Sequence, residues 1–236
     1  MTISIRRDAE ISDVDGGWFR ARWHFSFDSY YDVDYVRFGT MRVFNDDRLV
    51  PGAIWPMHPH RDIEGLTYVV EGSFRHRDDV GGAPGPLPAG AVQRMTLGRG
   101  ANHSEQNASE TEPMRFIQIW IMPSARGLDP GVEQKVFTTE DRTDTLLRAI
   151  SGDGGDAVLM HQDAHVFVSR LTPAATVIHD LPAGRGVYLY VIEGDVAVHG
   201  ERMATGDAAQ ITDEPSMSIE ATDTTELIMV DVSLAD

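Results

Sequence analysis

The chain consists mainly of short apolar runs separated by residues that favour turns. Residues 66–70 read Leu-Thr-Tyr-Val-Val before Glu71-Gly72, and residues 115–122 read Arg-Phe-Ile-Gln-Ile-Trp-Ile-Met before Pro123. Runs of this length bounded by Gly, Pro, Asp or Asn are typical of β-strands. We therefore predict an all-β protein. Residues 141–150 are the single helix candidate, with a connecting turn as the alternative.

The strand pattern occurs twice along the chain. Residues 184–195, which contain Glu193-Gly194, repeat the run that ends in Glu71-Gly72, and Gly206 repeats Gly90. Between the two copies, residues 124–131 are rich in Gly, Pro and polar side chains and interrupt the strands. An internal repeat indicates two similar units. We place these units at residues 1–136 and 137–236.

Two pairs of potential metal ligands lie in the first unit. His58 and His60 flank Pro59, and His103 and Glu105 are also two residues apart. Side chains with this spacing point to the same face of a strand, whereas on a helix they diverge. Imidazole and carboxylate groups bind divalent ions such as iron, manganese, nickel, copper and zinc. The spacing therefore favours a metal site built on two strands.

Longer segments around these pairs form a characteristic set. They read His-Pro-His-Arg at 58–61, Glu-Gly-Ser-Phe-Arg-His at 71–76, Gly-Arg-Gly at 98–100 and His-Ser-Glu at 103–105, with Phe-Ser-Phe at 25–27, Asn-Asp-Asp at 45–47 and Gln-Ile-Trp-Ile at 118–121. This set resembles the cupin superfamily and, more narrowly, the pirin family. The similarity is strong over residues 15–135 and weaker beyond. It implies a bicupin, with two antiparallel β-barrels.

The resemblance also implies a ligand set. Pirins bind their metal through residues that correspond here to His58, His60, His103 and Glu105. General cupins instead take the carboxylate from their first motif, where Glu64 stands. Because Glu64 lies at an even offset from His60, strand periodicity leaves it open as the alternative ligand.

The second unit lacks this histidine set. Aligning the two units at their glycines places other residues at the ligand positions, namely Asp180, Pro182 and Ile219. We therefore expect one divalent transition metal per chain, held in the N-terminal barrel. We expect Fe(II), with manganese, nickel, copper and zinc as alternatives.

A site with three imidazoles and one carboxylate leaves two positions of an octahedral ion open, which indicates catalysis or ligand exchange. Because some pirins are similar to quercetin 2,3-dioxygenases, the resemblance implies a flavonol-like enol and O2 as substrates. In this interpretation the metal lowers the pKa of the enol hydroxyl, and Glu105 is the catalytic residue that accepts its proton. The resemblance also implies an alternative, a noncatalytic metal-binding module that regulates protein partners.

The composition of the chain limits the classes of molecule that we expect it to bind. The 236 residues carry a formal net charge of −17 and contain no cysteine. The charge repels phosphate backbones, so we expect no nucleic-acid partner, and the lack of thiols excludes a thiolate ligand and a catalytic cysteine. We expect a cytoplasmic protein without membrane attachment, because neither a signal peptide nor an apolar span is present. The expected partner is a small aromatic or enolic molecule, and the composition leaves room for a protein partner.

The sequence leads to a specific expectation for each of three other side chains. Gln118 is polar within an apolar strand and must find a hydrogen bond. His76 is the additional histidine that we expect nearest to the pocket, because it continues the strand after the Gly turn. Arg94 departs from the pirin pattern, since many pirins carry an aromatic residue at that position.

Overall fold

The computed structural model describes residues 2–82 and 85–234, and almost all of its regular structure is β. The strands of the first part of the chain are β1 Thr2–Arg6, β2 Ser12–Asp15, β3 Phe19–Trp23, β4 Met41–Leu49, β5 Ile54–His60, β6 Glu64–Glu71, β7 Ser73–Asp78, β8 Leu87–Pro88, β9 Ala91–Thr96, β10 Ala101–Asn107, β11 Met114–Ile121 and β12 Gly131–Val136. Those of the second part are β13 Leu147–Ser151, β14 Val158–Leu159, β15 Ala164–Leu171, β16 Thr176–Asp180, β17 Arg185–Glu193, β18 Asp195–Val198, β19 Glu201–Ala204, β20 Ala208–Thr212, β21 Ser216–Ala221 and β22 Thr225–Ser233.

The strands form two similar halves, each built from a seven-stranded and a four-stranded sheet. In the N-terminal half the orders are β12-β9-β6-β11-β4-β3-β2 and β5-β10-β7-β8. In the C-terminal half they are β1-β20-β17-β22-β15-β13-β14 and β16-β21-β18-β19. The predicted all-β bicupin is confirmed. Each predicted barrel consists of two sheets and not of one closed sheet, because hydrogen bonding is interrupted between the large and the small sheet.

Corresponding glycines mark the repeat in three dimensions. Gly72 joins β6 to β7 with φ of 83°, and Gly194 joins β17 to β18 with φ of 96°. A Cβ at Gly72 would lie 2.5 Å from the carbonyl oxygen of Pro113, and one at Gly194 would lie 2.4 Å from that of Thr224. Only glycine fits this conformation and this close approach. The shared turn therefore explains why the two Glu-Gly pairs stand out in the sequence.

One strand completes each large sheet at the corresponding edge. β12 pairs with β9, and β1 from the start of the chain pairs with β20 in the other half. β1 thus occupies in the C-terminal half the edge position that β12 occupies in the N-terminal half. Our division of the chain between residues 136 and 137 remains a prediction. The topology shows in addition that residues 2–6, which form β1, belong to the large sheet of the C-terminal half.

The two halves share an apolar core. Phe44 lies against Tyr188 and Tyr190 of the other half, with ring centroids 5.2 and 5.5 Å apart. Side chains alternate along β4, so Phe44 and Asp46 face this shared layer while Asn45 and its same-face neighbours face the opposite way. This arrangement explains why β4 and β11 are buried on both faces.

Residues 141–150 do not form a long helix. A three-residue 3-10 turn spans Glu140–Arg142, and the following residues enter β13, which pairs with β15. Of the two alternatives, the connecting turn is therefore correct, since pairing within the sheet overrides the local helical pattern. No helix among the described residues is long and apolar enough to cross a membrane.

Candidate metal centre

β5 presents two histidines from the edge of the small sheet. Among the described strands its one hydrogen-bonded neighbour is β10, and an edge strand tolerates proline because one side of its backbone needs no donor. Pro56 and Pro59 therefore fit in this strand. His58 and His60 are half-buried and Pro59 is exposed, as the strand alternation predicted.

β10 carries the second predicted pair next to the first. His103 pairs with His58, whereas Glu105 pairs with Trp55, so two residues of β5 stand opposite one residue of β10. Such a β-bulge shifts the register by one position. Without it, Met57 would pair with His103, and the β5 histidines would face the other side of the sheet.

The three predicted histidines converge. The ring centroids of His58 and His103 are 4.5 Å apart, those of His58 and His60 are 4.8 Å apart, and those of His60 and His103 are 5.2 Å apart. One nitrogen from each ring lies within 4.8 Å of the others. Within residues 2–82 and 85–234, this is the one group of three or more potential ligands that is close enough to hold a metal ion.

Burial keeps two histidines of the cluster neutral. Desolvation and the neighbouring histidines lower the pKa of His60 to about 4, and desolvation together with His58 lowers the pKa of His103 to about 4. Neutral imidazoles at pH 7 have a lone pair available for a metal. The Nε2 atom of His103 is buried and has no hydrogen-bond partner in the structure. The cluster therefore fits a divalent transition metal.

A chain of contacts supports His103 from behind. His76 Nε2 lies 3.2 Å from His103 Nδ1, and His76 Nδ1 lies 3.2 Å from Asp78 Oδ2. A carboxylate beside Nδ1 favours the proton on that atom, so Nε2 of His76 accepts a hydrogen bond from the Nδ1–H group of His103. His103 is then held as the tautomer whose Nε2 lone pair is free. The expectation that His76 lies near the site is met.

Glu105 occupies a different position from the three histidines. Its carboxylate accepts hydrogen bonds from Gln118 Nε2 at 3.1 and 3.3 Å. Gln118 therefore has the hydrogen-bond partner that we expected for a polar side chain in an apolar strand. Burial raises the pKa of Glu105, although His76, His58 and Gln118 oppose this effect. Glu105 lines the same cavity as His58 and His60. Its role as fourth ligand remains a prediction.

Glu64, the alternative ligand, faces the boundary between the halves. Thr96 Oγ1 donates to it at 3.1 Å, and His161 Nδ1 lies 3.4 Å from its carboxylate. Arg94 belongs to the same region, where its Nε donates to the carbonyl of Leu159 at 2.7 Å. This placement favours Glu105 over Glu64 as a ligand. It also shows that Arg94 bridges the two halves, outside the lining of the cavity.

A cavity of about 800 Å³ opens beside the histidines. His58, His60 and Glu105 form one of its walls. Seven of the other lining residues are aromatic, namely Phe19, Trp23, Phe27, Tyr30, Tyr31, Trp55 and Trp120. The Trp120 ring lies 4.7 Å from that of His60. A planar aromatic molecule can therefore contact the rings and the histidines together.

Sequence reasoning missed two polar residues of this cavity. Asn45 and Asp47 line it from β4, and they are 1% and 3% exposed. Burial and the negative charges of Glu105 and Asp46 raise the pKa of Asp47 well above its ordinary value. The Asn-Asp-Asp string was visible in the sequence, but the alternation along β4 did not reveal which of its members face a cavity.

The C-terminal half has apolar residues at most of the corresponding positions. Its β16 and β21 pair His179 with Met217, as β5 and β10 pair His58 with His103. Leu181 follows His179 at the spacing of His60. One histidine thus remains, and it hydrogen-bonds Asp231 at 2.8 Å.

The register corrects our alignment of the second half. Ile219 pairs with Val198 as Glu105 pairs with His76, so Ile219 takes the position of Glu105 and not that of His103. His179 and Leu181, and not Asp180 and Pro182, take the positions of the first pair. The alignment was displaced at Ile219 because the segment from Gly206 to Ile219 is shorter than its counterpart, and at Asp180 because the segment from His179 to Gly194 is longer than the one from His58 to Gly72. The conclusion that this half lacks the histidine set stands.

Two family models match the two halves. The model described as Pirin matches residues 5–121, and the model described as Quercetinase C-terminal cupin domain matches residues 149–232. Between them they include both pairs of predicted metal ligands and most of the second unit.

Relatives match nearly the whole chain. A protein of Escherichia coli K12 named Quercetin 2,3-dioxygenase is 36% identical over 231 residues, which cover 98% of each chain. A Pirin-like protein of Caulobacter vibrioides is 38% identical over 95% of this chain and 97% of its own. The crystal structure of the bacterial pirin YhhW from Escherichia coli in complex with nickel(II) superposes with a TM-score of 0.91 at 34% identity, covering 99% of this chain and 100% of the other.

Proposed function

Because the chain belongs to the pirin family, we propose that it is a metal-dependent dioxygenase that acts on a flavonol-like enolic aromatic substrate with O2. The observation that carries the proposal is a cluster of three histidines beside a cavity that seven aromatic side chains line. The name of the Escherichia coli relative supports the substrate class.

His58, His60 and His103 would hold the metal, with Glu105 as the fourth ligand. When bound, the metal would supply Lewis acidity toward an enol oxygen and electron exchange with dioxygen. We propose Fe(II) for this position. Nickel in the solved relative supports a divalent first-row ion.

The aromatic walls orient the substrate. The volume of about 800 Å³ falls in the range of about 300–1,000 Å³ that small-molecule sites occupy. A flat ring in contact with Trp120 and the other aromatic side chains would exclude water from the enol. Their preferred contacts are with a flat, electron-rich molecule, as a three-ring flavonol is.

Glu105 is the proposed proton acceptor. A carboxylate whose pKa is raised by burial is a stronger base than one in water, and it therefore takes the enol proton more readily. Gln118 fixes the orientation of the carboxylate through contacts with both oxygens. The substrate would lose its hydroxyl proton to Glu105 as its oxygen approaches the histidine wall.

The test compares Glu105→Gln with wild type at matched iron content. The amide keeps an oxygen for coordination but is not a base, so we expect turnover to fall at least about 100-fold while occupancy falls far less. Flavonol consumption, oxygen uptake and carbon monoxide release are followed together. Glu64→Gln is the matched control, since it changes a buried glutamate outside the cavity and should leave turnover nearly unchanged.

One result would refute the enzyme. If metal-replete wild type consumes no oxygen with any flavonol or other enol, the noncatalytic binding module becomes the better account. Equal turnover by Glu105→Gln and wild type would remove Glu105 from the proton transfer and leave the dioxygenase itself in place.

A further inference from the structure

β4 turns two polar side chains into the aromatic cavity. Asn45 and Asp47 are two residues apart and therefore share one face of the strand. Both line the cavity, and both are more than nine-tenths buried. Asn45 Oδ1 has no hydrogen-bond partner in the structure. Among the described residues, no hydrogen bond or ion pair engages the Asp47 carboxyl group.

Buried polar groups are ordinarily hydrogen-bonded, because leaving one unpaired costs the full desolvation of that group. The nearest amide donor on the neighbouring strand is Gln118, which pairs with Asn45 in register but donates its Nε2 protons to Glu105. Trp23 pairs with Asn45 on the other side of the strand, and among the described residues its side chain makes no hydrogen bond to Asn45. The missing donors must therefore come from what occupies the cavity.

The C-terminal half shows that the fold does not require these groups. Arg115 pairs with Glu71 as Glu226 pairs with Glu193, which aligns β11 with β22. In that frame Phe167 takes the position of Asn45, and Ser169 takes that of Asp47. A phenylalanine and a small hydroxyl thus suffice in the half without the histidine cluster. The acceptor pair belongs to the half with the candidate metal site.

We propose that Asn45 and Asp47 form a subsite that accepts hydrogen bonds from hydroxyl groups of the substrate other than its metal-binding enol. This inference rests on the proposed function and narrows its substrate class to hydroxylated aromatic enols. An unsubstituted ring would fill the same space but leave both acceptors unpaired. A site built to bond a hydroxyl discriminates strongly against the analogue that lacks it.

The test measures binding without turnover. Metal-loaded protein is titrated under anaerobic conditions with quercetin and with 3-hydroxyflavone, which shares the enol but lacks the other hydroxyls. We expect wild type to bind quercetin at least about 10-fold more tightly, since a single hydrogen bond to a charged or buried partner is worth about this factor. Asn45→Leu and Asp47→Leu should each reduce that preference several-fold and leave binding of 3-hydroxyflavone unchanged or tighter.

Matched variants separate recognition from folding. Asp47→Asn keeps the shape and a carbonyl acceptor, so it should retain more of the preference than Asp47→Leu. Ser169→Ala changes the equivalent position of the other half and should leave both affinities unchanged. Metal content and the thermal midpoint of each variant are measured alongside.

Two outcomes would overturn the inference: no binding of either compound by wild type, or a preference for quercetin that both leucine variants retain. Failure of the proposed function is a separate result. In that case neither compound would be oxidised in air, whereas the anaerobic preference and its loss in the variants would persist.

Discussion

The two halves of the molecule have the same strand order but different interiors. The small sheet of the N-terminal half places His58, His103 and Glu105 inside, and the C-terminal half places His179, Met217 and Ile219 at the corresponding positions. Both Met217 and Ile219 are completely buried in an apolar cluster. One set of strand pairings therefore supports either a ligand-binding cavity or a closed apolar core.

This difference shows that one half of the molecule holds the buried polar groups of the candidate site, whereas the other half contributes apolar packing. Polar groups such as those of Asn45 and Asp47 are buried without a protein partner in the described part of the chain, at a cost in folding free energy that a bound ligand can offset. The C-terminal interior carries no such cost at Met217 and Ile219. Because Phe44 and Tyr188 lie in a core shared by both halves, the apolar half can stabilise the half that holds the site.

The largest expected effect is on metal binding. His103→Ala should weaken divalent metal binding on the order of 1000-fold, because one of a few ligands is lost and each contributes several kcal/mol. Met217→Ala, at the corresponding position, should leave metal affinity unchanged. Metal content and titration with Fe(II) or Ni(II) check both. A stoichiometric metal that survives in His103→Ala would show that the site was wrongly assigned.

A second prediction concerns a carboxyl group introduced into the apolar interior of the C-terminal half. Ile219→Glu should lower the free energy of unfolding by about 3 kcal/mol or more, because it buries a carboxyl group without a partner. Chemical denaturation measures the loss. Ile219→Val is the control and should cost about 1 kcal/mol. If the glutamate is tolerated as well as the valine, the C-terminal interior is not the closed apolar core described above.

A third prediction concerns the support behind His103. His76→Ala and Asp78→Asn should each weaken metal binding about 10-fold to 100-fold, since the tautomer of His103 is no longer held. Val198→Ala changes the counterpart of His76 and should alter stability without altering metal affinity. Unchanged metal affinity in His76→Ala would mean that the contact between the two histidines does not position the ligand.

The smallest expected effect lies at the boundary between the halves. His24 is completely buried and contacts Tyr188 across it, with Nδ1 2.7 Å from the hydroxyl oxygen. Burial lowers the pKa of His24 to about 3, whereas the unfolded chain should titrate near 6.5.

The unfolded state therefore binds a proton below about pH 6.5 that the folded state does not bind until about pH 3, and stability falls across this window. Between pH 6 and pH 5 the loss should be about 1 kcal/mol. Unfolding curves of wild type and His24→Gln, recorded at both pH values, give the free energy of unfolding of each protein. The contribution of His24 is the difference between the two proteins in how far this free energy falls from the higher to the lower pH. Equal pH dependence of the two proteins would exclude this role of His24.

Local patterns in the sequence determined the all-β character, the repeat and the same-face pairing of His58 with His60 and of His103 with Glu105. These features depend on an alternation that repeats every two residues, and a single strand contains all the information it needs. The resemblance to pirins then implied which pairs bind a metal. Gln118 was also predictable, because a polar side chain in a buried strand requires a partner.

The tertiary structure decided which residues meet across strands. The bulge opposite Ser104 brings His58 beside His103, and the shorter second-half segment moves Ile219 to the position of Glu105. The tertiary structure also places Glu64 against His161, turns Asn45 and Asp47 toward the cavity, and sets β1 in the C-terminal half. Register and loop length depend on pairings between residues far apart in the chain, so no local period reveals them.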